Sequence, residues 1–307
     1  MTLPLTEQQS ILQTVEGFGD VCEMSPLAIS WSASGCGFWR GRHKRSGEQL
    51  FLKNYPQRLA EEAAHELWYA RLFDTQAKKI GCRYLAISCP LTSYKLPDES
   101  VMMLSRYIQG RLLIDIIRTG ERLSREDSER IADALCECAH LVCKTDAYHR
   151  DINPKNLLFD GEKLWLIDFQ TAISKQRLQI TNPSLHLIRS NCGLGYGYNP
   201  WRGVWNDAHS VLEVFRELLP CLTLSEEKKA ETLTELQAAV ATAETIIPEY
   251  VVDDAWCKRM RRVYWLYLLR PEWTCKRTSR LKRASVLAIL RDLMRYHCAR
   301  PRALNAK

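Results

Sequence analysis

The sequence predicts an α+β fold of two lobes, a small antiparallel β lobe carrying one helix followed by a mainly helical lobe. Three observations support this. Short β-type runs separated by glycine-bearing turns occupy residues 27–53. A single Ala/Leu/Glu-rich stretch at 58–73 places apolar residues at helical spacing. From about Asn206 onward the pattern is mostly helical. The expected organisation is one domain over 1–307, with an N-lobe at about 25–105, a connection at 105–111 and a C-lobe at about 112–300.

The first strand is expected at Leu27–Trp31, followed by a glycine-containing turn from Ser32 to Gly41. Gln49–Lys53 is the next strand, after a turn at Ser46-Gly47. Two more strands are expected around Tyr84–Ser88 and Val101–Ser105, with a proline-bearing turn between them. Ser124 is an N-cap followed by first-turn acids, so a helix should run from there to about Val142. Leu157–Phe159 and Leu164–Ile167 flank Asp160-Gly161 and read as a two-stranded hairpin.

Composition narrows the function classes. The 307 residues are 46% apolar and 26% charged, which is globular. The N-terminal stretch lacks the basic start and apolar core of a signal peptide. The longest apolar run, Val263–Leu269, falls far short of the roughly 20 residues that span a bilayer. A soluble, cytoplasmic protein is expected, with its twelve cysteines reduced. Cys136, Cys138, His140 and Cys143 form the tightest cluster; without paired C-x-x-C spacing they read as core packing rather than a metal site. The net charge of +7 is unevenly spread, since fifteen Lys and Arg face two acids from Cys257 onward. That segment suits an anionic partner such as a membrane surface, or else forms a solvated basic face. Nucleic acid is a weaker expectation, because no dedicated reader motif is present.

The sharpest stretch is residues 149–170, HRDINPKNLLFDGEKLWLIDFQ. Phosphoryl transfer requires a carboxylate near the attacking hydroxyl and hard oxygen ligands for Mg²⁺. Asp151, Asn156 and Asp168 are groups of these kinds, with Asp168 at the end of an apolar strand. This stretch resembles the protein-kinase-like superfamily, whose catalytic loop H-R-D-x-x-x-x-N matches His149–Asn156 and whose D-F-G motif is approached by Asp168-Phe169-Gln170. The resemblance implies ATP and Mg²⁺ as cofactors, Asp151 as catalytic base, and Asn156 with Asp168 as metal ligands. It further implies Lys53 as the strand lysine that pairs the α/β-phosphates and Glu66 as its helix partner, with Glu62 one turn earlier as the alternative. Gly35 and Gly37 stand where a phosphate-covering loop belongs, and Arg106 and Ile108 lie in the inter-lobe connection whose backbone would bind adenine. Asp207 resembles the buried aspartate that holds the catalytic loop. Residues 191–201 occupy the substrate-loop position without its A-P-E motif.

Two departures bear on the acceptor. Asn153 stands where protein Ser/Thr kinases typically carry lysine, and Gln170 replaces the glycine of D-F-G. A Ser/Thr protein kinase is the first expectation. Arg150, able to engage a phosphorylated loop, and the hydroxyls Ser174, Thr181, Ser184 and Ser190 support it. The rival is a sugar kinase similar to the bacterial lipopolysaccharide-core kinases, supported by Asn153, Gln170 and a basic C-terminus able to sit at the inner face of an anionic membrane. A non-catalytic nucleic-acid- or membrane-binding scaffold is the alternative from another class.

Overall fold

The computed structural model describes residues 21–27, 36–175, 198–199 and 204–246. Gly35, residues 28–31, Thr181, Ser184, Ser190, most of 191–201 and the basic segment from Cys257 lie outside the described residues.

Five antiparallel strands form the N-terminal sheet: β1 (Val21–Pro26), β2 (Gly37–His43), β3 (Gln49–Tyr55), β5 (Thr92–Lys95) and β6 (Val101–Arg106), in the order β1-β2-β3-β6-β5. Strand alternation divides their side chains between two faces. Leu50 and Leu52 join Val21, Trp39, Met102 and Leu104 in one apolar cluster. Lys53 and Tyr55 take the opposite face, where Tyr55 packs with Met103, Cys36 and Ala63 of helix α1 (Ala60–Ile80). The strand Val21–Pro26 precedes the expected Leu27–Trp31, of which only Leu27 is among the described residues, and Gly37–Gly41 is strand rather than turn. The glycines are there for space. A Cβ on Gly37 would lie 2.2 Å from the Trp39 indole, and one on Gly41 2.9 Å from Val21.

Helix α1 continues beyond the expected Phe73 to Ile80, where Lys78 and Lys79 face the carbonyl end and Gly81 closes it at φ 76°. Its residues Tyr69, Phe73 and Ala77 enter the main core, so this helix ties the N-terminal sheet to the core of the helical part. A second sheet does the same. Strand β4 (Leu85–Ile87) pairs in parallel with β10 (Leu164–Leu166), which pairs antiparallel with β9 (Leu157–Phe159) and through it β7 (Arg111–Leu112).

The helical part comprises α2 (Leu113–Thr119), α3 (Arg125–Lys144), α4 (Asp207–Leu218) and α5 (Glu226–Ile246). Helix α3 begins at the expected cap, the Ser124 hydroxyl accepting from Asp127 N at 3.0 Å. Ile131, Leu135, Cys138 and Val142 are buried among Leu157, Leu164, Val211 and Phe215. Cys136 and Cys143 are buried in that core with Cys138, while His140 faces solvent. Short pairs β8 (Ala147–Tyr148) with β11 (Ile173–Ser174), and β12 (Tyr198–Asn199) with β13 (Val204–Trp205), complete the described strands. No helix among the described residues is long and apolar enough to cross a membrane.

Glu137 on α3 fixes the turn into β4. Its carboxylate accepts from Arg83 N at 2.8 Å, Tyr84 N at 2.9 Å and Leu85 N at 2.7 Å. Removing it leaves three backbone donors without that acceptor. Glu137→Ala should therefore lower the unfolding free energy by about 1–3 kcal/mol, measured by urea denaturation. A midpoint equal to wild type would show that the turn holds itself.

Candidate active site

The site is assembled from one strand, one helix and two loops. The pleat of β3 turns Lys53 toward α1, opposite Phe38 on β2 and Met103 on β6. Its ammonium donates to Glu66 Oε2 at 2.8 Å and to Asp168 Oδ1 at 3.2 Å. Lys53 and Glu66 side chains are both 7% exposed, whereas the Asp168 side chain is 41% exposed. Burial alone would pull the lysine pKa down, but Asp168 and Glu66 outweigh it and hold it above its ordinary value. Burial pushes the Glu66 carboxyl up against the pull of Lys53. Burial also opposes ionisation of Asp168, yet Lys53 keeps that carboxyl below its usual range. The Tyr55 hydroxyl donates to Glu66, and the Lys53 ammonium lies 4.9 Å from the Tyr55 ring centroid.

The loop after β8 carries His149, Asp151 and Asn156. Asp207, the first residue of α4, grips its start, with Oδ2 accepting from His149 N at 2.6 Å and Oδ1 from Arg150 N at 3.1 Å. Two successive backbone donors on one carboxylate force a tight bend, and Arg150 adopts φ 67° there. Burial raises the Asp207 pKa to about 6, against the pull of these two donors. Beyond the bend, Asn156 Nδ2 donates to Asp151 O at 2.8 Å and to Asp151 Oδ2 at 3.0 Å. Ile167 N in turn donates to Asn156 O at 3.0 Å, bringing the end of β10 alongside. Asp168 comes next at φ 63°, a second left-handed non-glycine residue.

His149 knits the two loops together. Its Nε2 donates to Ile167 O at 3.2 Å, while Nδ1 lies 3.4 Å from Asp151 N as acceptor, which describes a neutral ring. Its ring centroid is 4.7 Å from that of Phe169, itself 5.2 Å from Phe73 on α1. Burial accordingly lowers the His149 pKa to about 4, despite nearby Asp168.

One stripe of α1 meets the segment after Asp168. Glu62 accepts from Gln170 Nε2, His65 Nε2 donates to Ala172 O at 2.7 Å, and the Tyr69 hydroxyl accepts from Ser174 N at 2.6 Å. Arg150 Nε donates to Thr171 O, and the Thr171 hydroxyl donates to His149 O at 3.0 Å. Glu62 therefore engages Gln170, and Lys53 engages Glu66. Tyr55, His65 and Tyr69 are site residues that motif spacing alone does not single out. A signal exists in their placement, since Tyr55 lies two strand residues from Lys53, and His65 and Tyr69 share the helical stripe of Glu62 and Glu66.

Of the other expected residues, Gly37 opens β2 under the Trp39 indole. Arg106 ends β6 with an exposed side chain at 2.8 Å from Glu48 Oε1, and Ile108 is half-buried in the connection after it. Gly110 closes that connection against Phe159 O, where a Cβ would come within 2.5 Å.

Fold and loop arrangement resemble those of the protein-kinase-like superfamily, and the proteins to which the chain is similar in sequence are protein kinases. The chain is 23% identical over 70% of its length to a serine/threonine-protein kinase, dst3, of Dictyostelium discoideum. It is 25% identical over 46% of its length to the MAP kinase kinase MKK1/SSP32 of Saccharomyces cerevisiae. A maternal embryonic leucine zipper kinase of Danio rerio is 27% identical over 42%. The matches span 37%, 28% and 18% of those relatives, so the chain covers well under half of their length. No family model matches the chain.

The buried neutral His149 has a consequence in acid. An unfolded histidine titrates near 6.5 and this one near 4, so protons bind the unfolded chain first as pH falls between those values. Stability should be lost over that window by about 3 kcal/mol from this residue. Asp207, with its raised pKa, works in the opposite direction at overlapping pH. Comparison of wild type with His149→Asn isolates the histidine. Urea unfolding at pH 4.5 and 7 should show a larger loss of stability on acidification in wild type than in the variant, which keeps Asp207; equal pH differences in both would contradict a buried neutral ring.

Proposed function

We propose that the chain is an ATP- and magnesium-dependent phosphotransferase that phosphorylates a serine or threonine hydroxyl of a protein. The supporting observation is the Lys53 ammonium held between Glu66 and Asp168, with Asp168 joined through Phe169 and His149 to the loop of Asp151 and Asn156. In this reading Lys53 binds the α/β-phosphates, and Glu66 keeps its ammonium aimed and charged. Asp151 orients the acceptor hydroxyl and takes its proton as the oxygen attacks the γ-phosphorus.

The residues fit a hard metal ion. Asn156 turns its Nδ2 to Asp151, which directs Oδ1 away from that carboxylate, and Asp168 is a partly exposed carboxylate favoured as the anion. Those two oxygens would hold Mg²⁺, which when bound neutralises phosphate charge. Gly37 and the inter-lobe connection from Arg106 through Ile108 would close over the nucleotide.

A second reading has a sugar hydroxyl as acceptor, in the manner of the lipopolysaccharide-core kinases. Asn153 favours it, since its amide faces Asp151 and supplies no cation at the position where protein kinases carry lysine.

Asp168→Asn keeps the shape but removes a charged ligand. It should lower magnesium-dependent ATP turnover by about two orders of magnitude or more. Labelled-phosphate release or transfer would measure this, with circular dichroism reporting on folding. Unchanged turnover at saturating Mg²⁺ would remove Asp168 from the metal site.

A further inference from the structure

We propose that Asn153 is a positioning residue for the Asp151 carboxylate, an inference that rests on the phosphotransferase reading above. The Asp151 side chain lies between two amides. Asn153 Nδ2 donates to Oδ1 at 2.8 Å, and Asn156 Nδ2 donates to Oδ2 at 3.0 Å. Both amides also donate to the Asp151 carbonyl, at 3.0 Å and 2.8 Å. Each carboxylate oxygen is thus tied by a donor that is itself tied to the same residue's backbone. That geometry fixes the side-chain torsions from both sides. A carboxylate offers about four lone-pair directions, so two amides leave it able to accept from a substrate hydroxyl.

Asn153 is itself held. Its Oδ1 accepts from Lys155 N at 2.8 Å, which settles which end of the amide faces Asp151. The loop has other anchors. Ile152 is fully buried, Pro154 O accepts from Ile114 N at 2.9 Å, and Asn156 N donates to Asn153 O at 3.0 Å. These do not require the Asn153 side chain, so its truncation should leave the loop folded while releasing one side of the carboxylate. A lysine at this position would offer no oxygen to Lys155 N. It would replace a neutral clamp by a mobile cation. Asn153 therefore trades a phosphate-directed charge for a carboxylate with a fixed plane, an arrangement suited to an acceptor whose hydroxyl must be selected by orientation.

The test uses the full chain with Mg·ATP and water as acceptor, following phosphate release, nucleotide affinity and melting temperature. Asn153→Ala removes both functions of the amide; Asn153→Asp keeps an oxygen for Lys155 N but lacks the donor to Asp151. Both should lower kcat by roughly tenfold to a hundredfold. KM for ATP should stay within about twofold, since the loss is confined to the reacting geometry. Melting temperature should move by no more than about 2 °C. Wild-type kcat in both variants would overturn the assignment and leave the phosphotransferase reading standing. So would a slow Asn153→Ala beside a fully active Asn153→Asp, which would reduce the residue to a turn former. Parallel losses of kcat, ATP affinity and melting temperature would overturn it as well, by showing a structural role. Failure of the wild-type chain itself to bind or turn over Mg·ATP would overturn the phosphotransferase reading, and this inference with it.

Discussion

A primary ammonium buried to the depth of Lys53 must be neutralised where it lies, and the site is arranged around that requirement. Lys53 is fixed by the β3 register, which pairs it with Phe38 and Met103 on the face toward α1. Its two carboxylates come from separate parts of the chain, Glu66 from the helix and Asp168 from the turn after β10. Removing either would leave a buried charge poorly compensated, a loss of order 3–5 kcal/mol for a fully buried pair. Asp168, with its side chain 41% exposed, falls below that range because solvent screens its charge. The lysine thus demands that the sheet, the helix and the turn after β10 converge on one point. Any group that replaced Asp168 or Glu66 would have to bring a negative charge with it.

The same logic runs through the loop from His149 to Asn156. Arg150 and Asp168 occupy left-handed backbone conformations that are uncommon for residues other than glycine, and more so for arginine than for aspartate. Asp207 sustains the first by holding two consecutive N–H groups, and Lys53 holds the side chain of the second. Phe169 comes directly after and fills the space between His149 and Phe73. At these two positions the strained backbone is therefore held by polar contacts from outside the loop. The contacts of Glu62, His65 and Tyr69 with residues 170–174 bring the segment after Asp168 into the same assembly. Arg150 contributes there through the Thr171 carbonyl, so its guanidinium is turned inward to the site's own backbone.

Much of this is legible in the sequence, and the reasons differ by element. The Ser124 cap and the Asp160-Gly161 hairpin depend on local chemistry, and both stand where expected. The polar residues at 149–170 carry their spacing with them. The glycines of 32–41 mislead, because Gly37 and Gly41 serve close packing under Trp39 and against Val21 rather than a bend. Helix α1 runs past Phe73 because Ala77 still packs into the core, while Lys78 and Lys79 beyond it are exposed in the last turn. The parallel pairing of β4 with β10 joins three-residue strands nearly eighty positions apart, and local pattern holds no trace of such a partner. Gln170 reads in sequence only as a missing glycine; that it reaches Glu62 depends on two segments meeting in space.

Whether the Lys53–Glu66 pair aims one ammonium at nucleotide phosphate is tested most directly by a double-mutant cycle of Lys53→Met and Glu66→Gln, read as Mg·ATP affinity by titration calorimetry. If the two residues act as one unit, each single variant weakens binding, and the double variant loses less than the sum by about 1 kcal/mol or more. Strictly additive losses, within about 0.5 kcal/mol, or binding unaffected in all three variants, would contradict the account.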